Sequence, residues 1–370
     1  MQMRKFKKLK ARNNVRTGLL LAAALALVVF SFASSAVGQD EWKPERPVRL
    51  VVKYSAGGGT DTILRTLAKG MEKELGQKII CTNMTGAVGS IAAKYVHDQP
   101  ADGYTWLGFG NYNKHFRTMN LADLASWRDF NTFLVGNSLA SWSVLPDSPI
   151  TSFEDFIAKA KAEPGKIKVA TDGKGGLWHE VMSFLGATLG FQVNFVTYDG
   201  GAPATLACLQ KEVDLVCSGL HEQIEFIKAG KLRNLAQFSE EDIEVPGVGT
   251  LRTITKIVPE TKEMAPFGSM YGIGLRRDTP KAVLVKVKSA IQAGLEQPEF
   301  DQMLKKRYLK KTFVYGTAAD RKAAYLEAMA ANLFYDLGIS QKSPKELGLP
   351  PVNQFNQWWP PADYPPNPLD

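Results

Sequence analysis

The sequence predicts an α/β protein of two domains, and three observations carry that expectation. Apolar, β-branched runs alternate with amphipathic stretches along most of the chain, which is the pattern of parallel sheets with helices on their faces. A strand, a glycine-rich loop and a helix follow one another twice, at residues 48–75 and again at 166–189, more than a hundred residues apart. About 330 residues remain once an N-terminal targeting segment is set aside, which is long for one core and suits two.

Residues 1–38 have the three parts of a secretory signal: a basic stretch, an apolar run over 19–32 and small residues over 33–38, with cleavage expected after Ala36 or Gly38. The apolar run is shorter than the roughly 20 residues a spanning helix needs. No cysteine follows closely, which argues against a lipid anchor. The segment holds Arg4, Lys5, Lys7, Lys8, Lys10, Arg12 and Arg16 and no acid, so the formal charge falls from +8 (45 basic, 37 acidic) to +1 (38 basic, 37 acidic). The apparent basicity belongs to the signal, and the mature chain carries no nucleic-acid footprint.

The first domain, expected over 39–142 and 268–345, opens with a buried strand over 48–53 that runs into Gly57, Gly58 and Gly59. Thr60 or Asp61 is expected to cap the helix over 62–75. Glycines at such a junction turn backbone amides toward a ligand, and the helix start adds unpaired donors and partial positive charge, so the junction reads as an anion cradle. A strand over 78–82, a glycine turn over 85–89, a helix over 90–97 and strands over 105–108, 133–135 and 142–145 continue the alternation. The break Pro146-Asp147-Ser148-Pro149 is the expected place of the first crossing between domains.

In the second domain, expected over 143–267, Ser152 with Glu154 and Asp155 opens a helix that ends before Glu163-Pro164-Gly165. The second glycine junction, Gly173 to Gly176, follows the next strand. A helix over 180–189, a strand over 192–197, a turn at Asp199-Gly200-Gly201, a helix over 203–209 with Pro203 in its first turn, and a strand over 213–217 complete another βαβ set. The strand over 270–275 is expected to return to the first domain, with helices over 281–296, 298–304 and 318–337 outside it. The proline-dense tail, 346–370, is expected to form no regular element, although Phe355, Trp358 and Trp359 could pin it to a surface. Cys81, Cys208 and Cys217 are odd in number for an exported chain; buried free thiols are preferred over a bridge between Cys208 and Cys217.

Several chemistries are excluded by spacing. The first glycine loop has no P-loop lysine. A GxGxxG reading from Gly57 meets Thr62 at its last position, and one from Gly173 meets Trp178. There is no GxSxG elbow, and His179-Glu180 has Ser183 where HExxH needs its second histidine. His97, His115, His179 and His221 are not at metal-ligand spacings, so no metal, cofactor or catalytic residue is expected. Two glycine junctions without a nucleophile or base point to binding rather than turnover.

The ordered motifs resemble the Bug-type, TctC-like solute-binding proteins of tripartite tricarboxylate transporters. RPVRLVVKYSAGGGTD at 46–61 looks like that family's first strand and ligand loop, NMTGAVGSIAAKYV at 83–96 its second loop, and AEPGKIKVATDGKGGLWH at 162–179 its second-domain loop. The resemblance implies a type II periplasmic-binding fold, two α/β domains joined by two crossing strands with the ligand cleft between them. It further implies a monomer in the periplasm that binds a small organic carboxylate and delivers it to permease subunits. Carried over by position, Tyr54, Ser55, Gly57, Gly58, Thr60 and Asp61 would form one wall of the site. Thr171, Gly173, Gly175, His179, Tyr198 and Gly200 would form the other. The sequence departs from the family at Met84 to Gly89 and at Lys174, Leu177 and Trp178.

Individual residues keep two readings. Asp61 caps its helix or orients loop amides, the former being preferred because a carboxylate repels a carboxylate ligand. His179 caps the second helix or touches ligand. Trp178 and Lys174 either hold the body and distal acid of an aromatic or extended dicarboxylate or, preferably, pack inside the domain and lie solvated at the rim. An exported α/β hydrolase-like enzyme and a ligand-sensing subunit for a membrane receptor are the alternative functions.

Overall fold

In the computed structural model, which describes residues 41–340 and 342–370, the alternation resolves into two sheets. The signal-peptide expectation lies outside the described residues. The first sheet takes β1 (Val48–Val52), β2 (Ile79–Asn83), β3 (Thr105–Gly110) and β4 (Phe130–Asn137). The second takes β5 (Ala140–Val144), β6 (Lys168–Asp172), β7 (Asn194–Tyr198), β8 (Leu215–Gly219) and β9 (Arg233–Gln237). A small hairpin, β10 (Ile243–Val245) and β11 (Gly249–Leu251), precedes β12 (Met270–Arg276) and β13 (Lys310–Val314), which rejoin the first sheet.

The sheet orders are β13-β4-β12-β3-β1-β2 and β7-β6-β8-β5-β9. Both follow one plan. The first parallel strand lies between its two successors, and an antiparallel strand from a crossing segment lies beside the third. In such sheets the carboxyl ends of the central strands, with their loops and helix starts, form the binding edge. Buried aromatic side chains fill each half: Phe109, Phe116, Trp127 and Phe130 under the first sheet, and Trp142, Phe153, Phe156 and Phe238 under the second. Each fully buried side chain of this kind contributes about 1.5–3 kcal/mol.

The chain passes between the sheets at Ser138 and Leu139, earlier than the Pro146 to Pro149 break, because β5 already pairs with β8 and β9. The return runs beside it. Ser138 N donates to Ser269 O at 2.7 Å, Ala140 N to Phe267 O at 2.8 Å, and Ser269 N to Ser138 Oγ at 3.0 Å. The two crossings are thus one paired ribbon, and Gly268 is where they touch: a Cβ there would lie 2.2 Å from the Ser138 carbonyl oxygen.

Three helices begin inside their glycine runs, at Gly59–Leu75, Leu177–Leu189 and Gly201–Leu209, two or three residues before the sequence expectation. Amides of a first turn have no intrahelical partner, so glycine costs little there. Neither Thr60 nor Asp61 is the N-cap of the first of them; Gly58 is, without a side-chain cap. Ser152 caps its helix as expected, its hydroxyl accepting from Asp155 N.

The tail differs from its expectation of no regular element. Residues Val352–Gln354 and Phe355–Trp358 form short helical turns, Phe355 is buried, and Trp127 meets Trp358 and Trp359 edge-on at 5.9 and 6.3 Å. Tyr364 and Asn367 both donate to Asp320 at 2.8 Å, fastening the end of the tail. The three cysteines are free; Cys208 and Cys217 are buried and Cys81 is partly exposed on edge strand β2.

Candidate functional site

The loops at the carboxyl ends of β1, β6 and β8 face one another across the cleft. After β1 the chain passes Tyr54 and Ser55 and enters its helix at Gly59. Asp61, in the first turn, braces this loop: its carboxylate accepts from Gly57 N at 3.0 Å, Arg65 Nε at 2.7 Å and Asn83 Nδ2 at 2.8 Å. Asn83 Nδ2 also donates to Tyr54 O at 2.8 Å, so the loop is held from both ends.

After β6 the same device recurs with a different acid. Asp172, 3% exposed, accepts from the amides of Leu177, Trp178 and His179 at 3.0, 2.9 and 3.3 Å. These are the unpaired donors of a helix start, and a carboxylate there is favoured by the helix dipole. Burial nevertheless pushes the Asp172 carboxyl up to about 7, against those three amides and the nearby Lys53.

After β8 a third helix, Leu220–Lys228, carries Glu222 in its first turn. The Glu222 side chain is 6% exposed and accepts from Gly219 N at 2.9 Å and, across the cleft, from Gly59 N at 3.4 Å. Its carboxylate also abuts the start of Gly201–Leu209, where a Cβ at Gly201 would lie 1.9 Å from Oε2. Burial pushes Glu222 up to about 7 despite its backbone donors.

These loops enclose a polar cavity with only about 20 Å³ of free volume, roughly the space one water requires. Tyr54, Ser55, Gly58 and Thr60 line it from the first glycine loop; Asp172, Trp178, Gly200 and Glu222 line it from the second-sheet side. Asn111, Ser269 and Tyr271 complete it. A turn of three consecutive left-handed residues, Asn111 to Asn113 with φ of 55, 50 and 55°, brings Asn111 to the wall. The Asn111 side-chain Oδ1 accepts from Met270 N at 3.0 Å, tying that turn to the return crossing. Strain of this kind collects at binding sites, where the surrounding structure holds it.

Further links span the cleft. Ser55 Oγ donates to Asp199 O at 3.2 Å, and Tyr271 OH lies 3.2 Å from His221 Nε2. Deeper, Lys114 and His115 from the first half meet Glu180 of the second at 2.7 and 2.9 Å, all three buried. Burial alone would raise the Glu180 carboxyl, but Lys114 and His115 hold it down at about 2.

The structure brings some of the sequence-predicted residues to the cavity and leaves others elsewhere. Tyr54, Ser55, Gly58, Thr60, Trp178 and Gly200 line it. Gly173, Lys174 and Tyr198 line an outer vestibule of about 260 Å³ that shares Tyr54 with the cavity. Lys174 is exposed there, while Trp178 packs into the second core and also lines the cavity. Gly57 and Asp61 shape the first loop behind the wall, Thr171 Oγ1 bonds Asp172 O at 3.0 Å, and Gly175 packs against Met119. His179 neither lines the cavity nor caps its helix, whose N-cap is Gly176; its ring packs tilted against Phe195, centroids 4.3 Å apart. Asn111, Asp172, Glu222, Ser269 and Tyr271 escaped the sequence reading. Glu222 alone left a recognisable signal, an acid three residues after Gly219 at a helix start.

A model described as the tripartite tricarboxylate transporter family receptor, TctC, matches residues 63–323. The chain belongs to that family. A curated relative, the UPF0065 protein of the gbd 5' region of Cupriavidus necator, is 30% identical over 296 residues, 79% of this chain and 86% of its own. Among solved structures, the periplasmic binding protein BugD is 27% identical with a TM-score of 0.74, the match covering 81% of this chain and 100% of BugD. The R. palustris protein Rpa4515, solved with adipate, is 24% identical with a TM-score of 0.73 over 80% of this chain and 99% of its own. The fold is the type II periplasmic-binding fold of TctC receptors, and these are binding proteins rather than enzymes, which sets the hydrolase alternative aside.

Proposed function

We propose that this TctC-family chain is a periplasmic receptor that closes around one small organic carboxylate and presents it to the permease subunits of a tripartite transporter. The observation that carries the reading is the polar cavity built by both halves, whose walls come from the glycine-loop helix starts; among the described residues, the halves are connected by the paired crossings at Ser138 and Ser269. Adipate in the similarly folded R. palustris protein supports a carboxylic acid as the ligand class. The secretory pattern of residues 1–38 supports export with signal cleavage.

The halves meet in this reading as two domains, expected over 39–142 with 268–345 and over 143–267 but divided at the crossing at Ser138 and Leu139, that rotate about the crossing ribbon. A cavity of about 20 Å³ is too small for a dicarboxylate, so the halves part to load the ligand and close on it. Tyr54, Ser55, Gly58, Thr60, Trp178 and Gly200 contact the ligand; Gly173, Lys174 and Tyr198 line its path inward; and Gly57, Asp61, Thr171, Gly175 and His179 act from behind. A thermal-shift screen of organic acids tests this. Stabilisation by a subset of small acids, lost in Tyr271→Ala, is the expected result; stabilisation by none would overturn it.

A further inference from the structure

The wall of the closed cavity has unusual chemistry for a site that takes a simple dianion. Two of its side chains, Asp172 and Glu222, are carboxylates, and among the described residues no lysine or arginine lines it. Lys53 lies behind Tyr54, 4.9 Å from that ring, with its Nζ bonded to Asn113 at 3.0 Å. Lys114 is held by Glu180.

At the helix starts after β6 and β8, and at Gly59, donors that a ligand carboxylate would seek are already engaged. Asp172 takes the amides of Leu177, Trp178 and His179, and Glu222 takes those of Gly59 and Gly219. Within 4.0 Å of Glu222, the basic group present among the described residues is His221 Nε2 at 3.8 Å. Burial holds the His221 ring down at about 3, so it is neutral and does not balance the acid. Three aromatic residues, Tyr54, Trp178 and Tyr271, also line the cavity.

Carboxylates recognise an ammonium group through charge-assisted hydrogen bonds, to which neighbouring aromatic rings add cation–π attraction. An ammonium beside Glu222 favours its charged form against the burial that raises it, whereas a second carboxylate raises it further and meets like charge wherever Glu222 is ionised. We infer that the cleft selects an acid that also carries an ammonium group over a plain dicarboxylate, and that Glu222 sets this preference. The ammonium faces Glu222 and Asp172. The acid end meets the neutral donors of Thr60 and Asn111 on the first-sheet side. This rests on the binding-protein reading above.

The test titrates the mature chain calorimetrically with matched pairs: adipate against 6-aminohexanoate, and succinate against 4-aminobutyrate. The amine-bearing member of a pair is expected to bind about tenfold more tightly. Glu222→Gln should bring that ratio close to one while circular dichroism shows an unchanged fold. Asp172→Asn should narrow it in the same direction, so a misfolded Glu222 variant leaves the comparison available. Tighter binding of the dicarboxylates to the wild-type chain would overturn the inference and leave the receptor reading standing. Binding of none of the four, together with no response across the wider screen of acids, would overturn both.

Discussion

The backbone amide of Gly59 donates to Oε1 of Glu222 at 3.4 Å, from the first glycine loop to the helix start that faces it. A carboxylate of the chain itself therefore occupies the anion cradle formed by the loop after β1. The contact joins the two halves, so the protonation state of Glu222 bears on both closure and stability.

Glu222 has its carboxyl pushed by burial from an ordinary 4.5 to about 7. The folded state therefore holds a proton that the unfolded state has released between those values. The resulting stability is present in full below about 4.5 and is lost as pH rises through about 7. Glu222→Gln removes this dependence. The wild-type chain should lose on the order of 3 kcal/mol relative to the variant between about pH 4.5 and pH 7.5, measured by urea unfolding at a series of pH values. Parallel pH profiles would contradict the buried placement of Glu222.

Glu180 works in the opposite sense. Burial opposes its charge, yet Lys114 and His115 hold it down at about 2, so its contribution is present above about 4.5 and lost as pH falls toward 2. Glu180→Gln leaves Lys114 buried without its counter-charge. The expected loss is about 3–5 kcal/mol in urea unfolding near neutral pH. A loss below about 1 kcal/mol would place the pair in solvent.

Gly268 sits where the crossings touch, and an added Cβ would meet the Ser138 carbonyl oxygen at 2.2 Å and its carbon at 2.6 Å. Both are backbone atoms that cannot rotate away. Gly268→Ala should cost about 2–3 kcal/mol and lower the melting temperature. An unchanged melt would mean that the two crossings are not packed as a ribbon.

The tail is fastened by aromatic packing and by Asp320. Phe355 is 2% exposed and packs against Tyr325, with ring centroids 5.1 Å apart. Phe355→Ala should destabilise the chain by about 3 kcal/mol. Its tail should also become the first site of limited proteolysis, read by intact mass.

Much of this architecture is legible in the sequence because its signals are local. The β-branched runs of β1, β6 and β8 and the glycines after β1 and β6 declare strands and junctions without reference to the rest of the chain. Edge strand β13 is hidden by Lys310 and Lys311, which suit an exposed edge and disguise the apolar alternation. The tail reads as irregular from its prolines, but its order comes from partners on another helix and at Trp127.

The site was legible only in half. Tyr54, Ser55, Gly58 and Thr60 follow β1 directly, so the motif finds them. Ser269 and Tyr271 reach the cavity through a return crossing more than two hundred residues later, and no local pattern marks them. Asp172 immediately precedes the second glycine loop, where expecting an external anion hid the acid that already serves the helix start.

The most direct measurement is native mass spectrometry of the chain purified from a periplasmic extract without denaturant. The account predicts one small organic acid per chain, amine-bearing, retained by the wild-type protein and lost in Tyr271→Ala. A chain that carries no acid and is stabilised by none in the acid screen would contradict it, as would a bound acid whose retention is indifferent to Tyr271 and Glu222.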